Sequence, residues 1–173
     1  IDKGGHGRVV FVSGRAGLEE RTGTWQRHLL YKQRGRVTAM LGDHPSPHRV
    51  MAAVDFSPAS LLVLKYLDQS WTNDKQIAVS FVHVAAGRKQ ADDARQRWKK
   101  IKQIADLDAS VPLEVIVSGE DTADILCSRL QARNFGTMVM GKRGIAGIKR
   151  WLLGSVSAGV LRRLDGQSLF LID

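Results

Sequence analysis

Between Met140 and Ser157 the chain reads MGKRGIAGIKRWLLGSVS, a run whose glycines, hydroxyls and cations have the types and spacing that hold phosphate. Gly141, Gly144 and Gly154 lack the Cβ that keeps a ligand off the main chain, so backbone N–H groups can approach oxyanions there. Ser155 and Ser157 stand where a helical pattern resumes through SVSAGVLRRL. A helix start offers unpaired N–H groups and about half a positive charge, which suits phosphate. From Gly141 to Arg163 there are six cations, Lys142, Arg143, Lys149, Arg150, Arg162 and Arg163, and no carboxylate, so an anion meets no repulsion. The run is not GxxxxGK[ST], because Ser155 follows Gly154 with no lysine between, and it is not GxGxxG. Taken alone, Gly144 and Gly147 also read as turn formers, and Arg162 and Arg163 as answers to the negative end of their helix.

The elements that must position this loop alternate strand and helix. Val50–Val54 is an apolar run of strand length ending at Asp55. Ser57 is a suitable N-cap, with Pro58 at the first position of a helix through Leu61, Leu64 and Leu67. Ile77–Val84 reads as a second strand, and Lys89–Leu107 as a surface helix with Ala91, Ala94, Trp98, Ile101 and Ile104 in one stripe. Strands over Leu113–Val117, Thr137–Met140 and Ser168–Ile172 follow, with helices over Thr122–Ala132 and Ser155–Leu164 and Gly166 as the last helix's stop. This alternation predicts an α/β fold with a parallel sheet covered on both faces. In such a sheet a ligand binds beyond the strand C-termini, where the direction of winding reverses.

GxxG, nine residues, then G[ST], met here by Gly141, Gly144, Gly154 and Ser155, resembles the signature of the nucleotide-binding branch of the universal stress protein family. VDFSPAS at Val54–Ser60, FVHV at Phe81–Val84, SGEDTADIL at Ser118–Leu126, VMGKRG, IKRWLLGSVS and the closing SLFLID extend the likeness over about residues 48–173. The resemblance implies a doubly wound, open five-stranded parallel sheet of order 3-2-1-4-5 with helices on both faces, adenine-nucleotide alpha-hydrolase-like, in which Asp55 and Gly141 emerge side by side. It implies ATP as ligand, with Mg²⁺ carried on the phosphates mostly by water. Carried over residue by residue, the contact positions are Ala53, Asp55, Val84, Met140, Gly141, Gly144, Gly154, Ser155, Val156 and Ser157. Asp55 would accept hydrogen bonds from the nucleoside, and Val84 would offer backbone groups to the base. Ala53 stands where some nucleotide-binding members carry proline, a change that leaves the main chain available.

The resemblance also implies a nucleotide-dependent switch or stress-response module, and a homodimer formed through SLFLID at a sheet edge, where an apolar strand tends to pair with another. Hydrolysis would ask for a positioned water and usually a metal held by carboxylates or hydroxyls. Asp55 is the one evident acid near the loop, and no catalytic residue is assigned. Slow ATP hydrolysis, with Ser155 or Ser157 helping to hold the metal, and a nucleotide-independent interaction module of the same fold remain the alternatives. His83 reads as a packed core histidine, since nothing near it in sequence makes it a catalytic base.

With 173 residues, 43% of them apolar, the chain suits one domain with an extension. The net charge of +9 invites nucleic acid. Yet the cations are spread out, and aromatics, at 6%, are not interleaved with them as a stacking platform requires, so no dedicated nucleic-acid recognition is expected. No apolar run reaches membrane-span length and no signal peptide is visible, which together predict a cytoplasmic protein and no membrane partner. Cys127 cannot make an internal disulfide and sits among Ala123, Leu126 and Leu130 as a buried thiol would, and no residue set has transition-metal spacing.

Residues 1–47 carry eight cations against four carboxylates and begin without methionine, as a processed or truncated chain would. Val9–Val12 reads as a short strand, and a short helix is expected around Trp25, Leu29 and Leu30. This extension is either an unrelated arm or the tail of a degenerate preceding copy. With one residue skipped after His6, Lys3, Gly5, Gly7 and Gly14 fall opposite Lys142, Gly144, Gly147 and Gly154. His44-Pro45-Ser46-Pro47-His48 then forms a stiff connector to a domain spanning 48–173.

Overall fold

Neighbouring residues on a strand face opposite ways, so a strand buried on both sides must be apolar throughout. The two central strands are so over Val50–Ala53 and Met138–Met140. The structure, a computed structural model, describes residues 9–13, 37–70, 77–104, 107–108, 111–142 and 154–172. In chain order they form β1 (Val9–Ser13), β2 (Val37–Leu41), β3 (Arg49–Ala53), α1 (Pro58–Ser70), β4 (Ala78–Ala85), α2 (Arg88–Ile104), β5 (Leu113–Val117), α3 (Thr122–Ala132), β6 (Thr137–Gly141), α4 (Ser155–Arg163) and β7 (Ser168–Ile172).

Two cores result, one on each side of the sheet. Val50, Ala52 and Val139 bury with Val63, Leu64 and Leu67 of α1 and with Trp98 and Ile101 of α2. Met51, Met138 and Met140 point the other way, into Leu126, Cys127 and Leu130 of α3 and Val160 of α4. Trp98 stacks at 5.0 Å from Phe81 and donates its indole N–H to the Val111 carbonyl at 3.1 Å, so a large ring is buried without stranding its polar atom. Asp121 caps α3, its carboxylate accepting from the Ala123 and Asp124 N–H groups. Burial pushes the Cys127 thiol up to about 11, as expected of a packed side chain rather than a nucleophile. Among the described residues no helix is long and apolar enough to cross a membrane.

The sheet order is β1-β2-β7-β6-β3-β4-β5. All pairings are parallel except β2 with β7. The sheet thus has seven strands rather than the five expected. β2, which the sequence reading did not identify, pairs antiparallel with β7 from Val37↔Ile172 to Met40↔Leu169, and it buries Ala39 and Met40. The last strand is therefore not a sheet edge. Its backbone groups are taken on one side by β6 and on the other by β2, so it has no free edge to offer a second molecule, and the expected homodimer through SLFLID is corrected. The strand expected at Val9–Val12 is β1, whereas the helix expected around Trp25 lies outside the described residues.

The connector at residues 44–48 turns tightly beneath β3 and β6. The Arg49 N–H donates to the Ser46 carbonyl at 3.1 Å, and the Thr137 hydroxyl donates to the Pro47 carbonyl at 2.7 Å. Gly136 makes this approach possible, since a Cβ there would lie 2.2 Å from the Ser46 carbonyl oxygen, whereas a Cβ on Gly119 would meet nothing within 4 Å. Gly136→Ala should cost about 1–3 kcal/mol of stability and Gly119→Ala no more than about 0.5 kcal/mol, measured by urea unfolding. Equal effects would contradict the packing described.

Candidate functional site

Parallel strands deliver their C-termini to one end of the sheet, and β3 and β6 are neighbours there, with Ala53 opposite Met140. Gly141 closes β6, and Asp55 lies two residues beyond β3, so both emerge at the same end. β4, on the other side of β3, runs further: Ala53 pairs with Val82, which carries Val84 past the end of β3. Ala53, Val84 and Val156 are partly buried against the same core cluster, the one under α3 and α4.

The start of α4 is tied to the end of β6. The Gly154 N–H donates to the Lys142 carbonyl at 3.0 Å, and the buried Ser157 hydroxyl donates to that carbonyl at 2.8 Å. The Lys142 N–H in turn donates to the Ile172 carbonyl at 2.7 Å, which extends the β6–β7 ladder by one residue. The chain thus leaves the sheet at Lys142 and comes back to the same peptide at Gly154. Gly144 falls between these points, outside the described residues. Gly154 is the N-cap of α4 in extended conformation and makes no side-chain cap bond. The N–H groups of Ser155, Val156 and Ser157, in the first turn, have no acceptor within the helix. They form a cluster of donors on the positive end of a helix beside the strand ends. Ser155 is exposed there, whereas the Ser157 proton is committed to backbone oxygen. The Lys142 side chain is buried at 4% exposure.

Asp55 is held by the first turn of α1. Its carboxylate accepts from the Ser57 N–H at 3.0 Å and from the Ser60 hydroxyl, and the Ser60 oxygen accepts the Asp55 N–H at 2.9 Å. Ser57, the expected N-cap, accepts the Ser60 N–H at 3.3 Å. Between Asp55 and Ser57 the backbone is strained: Phe56 has φ 60°, a left-handed conformation that costs a bulky residue about 1–3 kcal/mol. Its ring rests on the His83 imidazole at 5.0 Å, and His83 Nδ1 lies 2.7 Å from the Val54 carbonyl. The turn is therefore fixed from both sides. His83 is partly exposed rather than the core histidine expected, and it ties β4 to the end of β3. The sequence reading missed Ser60 and the Lys142 carbonyl. Ser60 was detectable as a hydroxyl five residues past Asp55, one helical turn beyond Ser57. The carbonyl leaves no mark in residue identity.

Of the ten residues predicted from sequence, Ala53, Asp55, Val84, Met140, Gly141, Gly154, Ser155, Val156 and Ser157 lie at this one end of the sheet or at the start of α4, with Met140 contributing from within the core. The arrangement offers main-chain donors to an anion and a fixed carboxylate to polar hydrogens. Among the described residues no group of three or more His, Cys, Asp or Glu side chains is placed to hold a metal ion.

Residues 47–166 match the model of the universal stress protein family. No curated protein sequence matches the chain. Among solved structures, a universal stress protein from Archaeoglobus fulgidus DSM 4304 is similar with a TM-score of 0.63 at 17% identity, over 94% of this chain and 60% of its own. A putative universal stress protein from Pseudomonas aeruginosa UCBPP-PA14 has a TM-score of 0.68 at 12% identity, over 95% of this chain and 62% of its own. This chain thus spans about three fifths of the length of those two relatives. The universal stress protein from Archaeoglobus fulgidus in complex with dAMP has a TM-score of 0.53 at 17% identity, over 75% of this chain and 99% of its own. At these identities the likeness is one of fold.

If Ser60 positions Asp55, Ser60→Ala should cost about 1–3 kcal/mol, because it strands the Asp55 N–H and carboxylate in a part-buried turn. Ser155→Ala, at an exposed position, should stay within about 0.5 kcal/mol in ligand-free protein. Urea unfolding of both variants decides, and a neutral Ser60→Ala would leave Asp55 without its anchor.

Proposed function

Since the chain belongs to the universal stress protein family, we propose that the crevice between the ends of β3 and β6 binds ATP and that nucleotide occupancy is its signal. The observation that carries this reading is the clamp at Lys142. It sets the uncapped start of α4, with the N–H groups of Ser155, Val156 and Ser157, beside Gly141 and across from Asp55. That donor set fits an anionic phosphate tail, because main-chain donors at a helix start favour negative charge. Arg143, Lys149 and Arg150, in a stretch of sequence that carries no carboxylate, add attraction. A relative of the same fold in complex with dAMP supports an adenine nucleotide as the class of ligand.

In this proposal the main chain of Gly141 and Gly144, the first-turn N–H groups of α4 and the Ser155 hydroxyl hold the phosphates, and Gly154, whose own N–H is taken by the Lys142 carbonyl, lets them approach because it has no side chain. Asp55 accepts from the ribose, and Ala53, Val84, Met140 and Val156 line the nucleoside end. Ser157 contributes its N–H and keeps the loop's ends together. Mg²⁺ would be carried by the phosphates, shielding their charge with water as its remaining ligands. The proposal is a binding switch rather than a hydrolase. Assembly through the last strand is no part of it, because β2 covers that strand.

ATP should raise the melting temperature in a concentration-dependent way, reaching about 2.7 kcal/mol of added stability at a hundredfold excess over Kd. Gly144→Asp, which adds bulk and negative charge beside the phosphates, should abolish that response while leaving the ligand-free melting temperature within a few degrees. An undiminished ATP response in this variant would contradict the loop assignment.

A further inference from the structure

Where β4 outruns β3, one rung of the parallel ladder is left unmade. A residue in a parallel ladder turns its N–H and its C=O to the same neighbour, and the next residue turns both to the other side. The Val82 carbonyl accepts from the Val54 N–H at 2.9 Å, so Val82 faces β3. The Ala85 carbonyl accepts from the Ser118 N–H at 2.9 Å, so Ala85 faces the β5 side. Val84 therefore faces β3, as Val82 does. The next rung would run from the Val84 N–H to the Val54 carbonyl, and the described residues make no such bond.

His83 takes its place. The Val54 carbonyl lies 2.7 Å from His83 Nδ1, and because a carbonyl can only accept, Nδ1 is the ring nitrogen that carries the proton. Phe56, in its left-handed turn at φ 60°, sets its ring 5.0 Å from the imidazole and steadies it there. Past Val54 the chain is bound into the first turn of α1 through Asp55, Ser57 and Ser60, which keeps it from running on beside Val84 as a strand.

We infer that His83 is a positioning residue for base choice: by occupying the Val54 carbonyl it keeps the Val84 N–H and C=O out of the ladder, as a donor and an acceptor side by side for the edge of a purine. That role rests on the nucleotide binding proposed above, whereas the open rung does not. Adenine presents an amino donor next to a ring-nitrogen acceptor, and guanine presents the two roles exchanged. A peptide edge whose direction is fixed by its strand matches one order and not the other. With an aliphatic side chain at position 83, the Val54 carbonyl would turn to the Val84 N–H, because a part-buried carbonyl left without a donor is unfavourable. The rung would then close and the base would lose its partner, while the phosphate donors at α4 stayed as they are.

The test uses the whole chain with His83→Leu, and with His83→Asn, which keeps an amide N–H near the place of Nδ1. In hydrogen exchange without ligand, the Val84 amide should be unprotected in the unsubstituted protein and in His83→Asn, and protected like its β4 neighbours in His83→Leu. In calorimetric titrations, the unsubstituted protein and His83→Asn should prefer ATP to GTP. His83→Leu should weaken ATP about tenfold, as the loss of one hydrogen bond does, and leave inorganic tripolyphosphate unchanged. A Val84 amide already protected in the unsubstituted protein would overturn the inference even if His83→Leu does not fold. Equal losses for ATP and tripolyphosphate would overturn it too, since they mark a merely structural histidine, and both results leave ATP binding itself standing. Val84 exchange as expected with no ATP bound to the unsubstituted protein would instead remove the nucleotide reading, and the role in base choice with it.

Discussion

One backbone carbonyl, that of Lys142, fixes how the last helix meets the sheet. A strand can feed a helix through a loop of any reach, but the helix start is useful for holding an anion only if it returns beside the strand it left. Here the Lys142 oxygen accepts from both the Gly154 N–H and the Ser157 hydroxyl. A carbonyl has two lone pairs, and both are used. Each bond contributes about 1 kcal/mol net, but leaving these buried groups unpaired would cost more. The clamp is therefore hard to open, and the loop it closes is held at both ends.

The rest of the site follows from the sheet. Alternation along β3 and β6 sends side chains to two cores, so neither strand can slip by one residue without exposing a full set of apolar groups. That constraint sets Ala53 opposite Met140 and brings Asp55 to the same end as Gly141. At Phe56 the chain adopts a left-handed turn against its own preference, and the Asp55, Ser57 and Ser60 bonds hold it there. Strain kept in place by buried polar bonds beside a donor cluster is a common mark of a binding site.

Much of this was legible from residue types. β5, α3 and β7 lie over the residues that the sequence pattern predicted, because each is a short apolar or amphipathic run bounded by breakers such as Gly119, Asp121 and Gly166. β2 escaped because VTAML is stabilised by a partner about 130 residues away, and its own sequence has no strong alternation. Missing it made β7 look like an edge and turned a seam within one chain into an expected contact between two. Ser157 shows the same limit at a single residue. Its spacing in the G[ST] run suggested a hydroxyl facing the ligand, but the folded chain turns that proton onto Lys142, a choice that depends on where the strand ends rather than on serine itself.

In the proposed function, main-chain donors at the α4 start meet an adenine nucleotide's phosphates beside Asp55. Backbone amide NMR during ATP titration tests it most directly, because each donor reports for itself. The largest shifts are expected at Gly141, Gly154, Ser155, Val156 and Ser157, smaller ones at Asp55 and Val84, and none along β1 and β2. Saturable shifts confined to another surface, or no shifts at millimolar ATP, would contradict it.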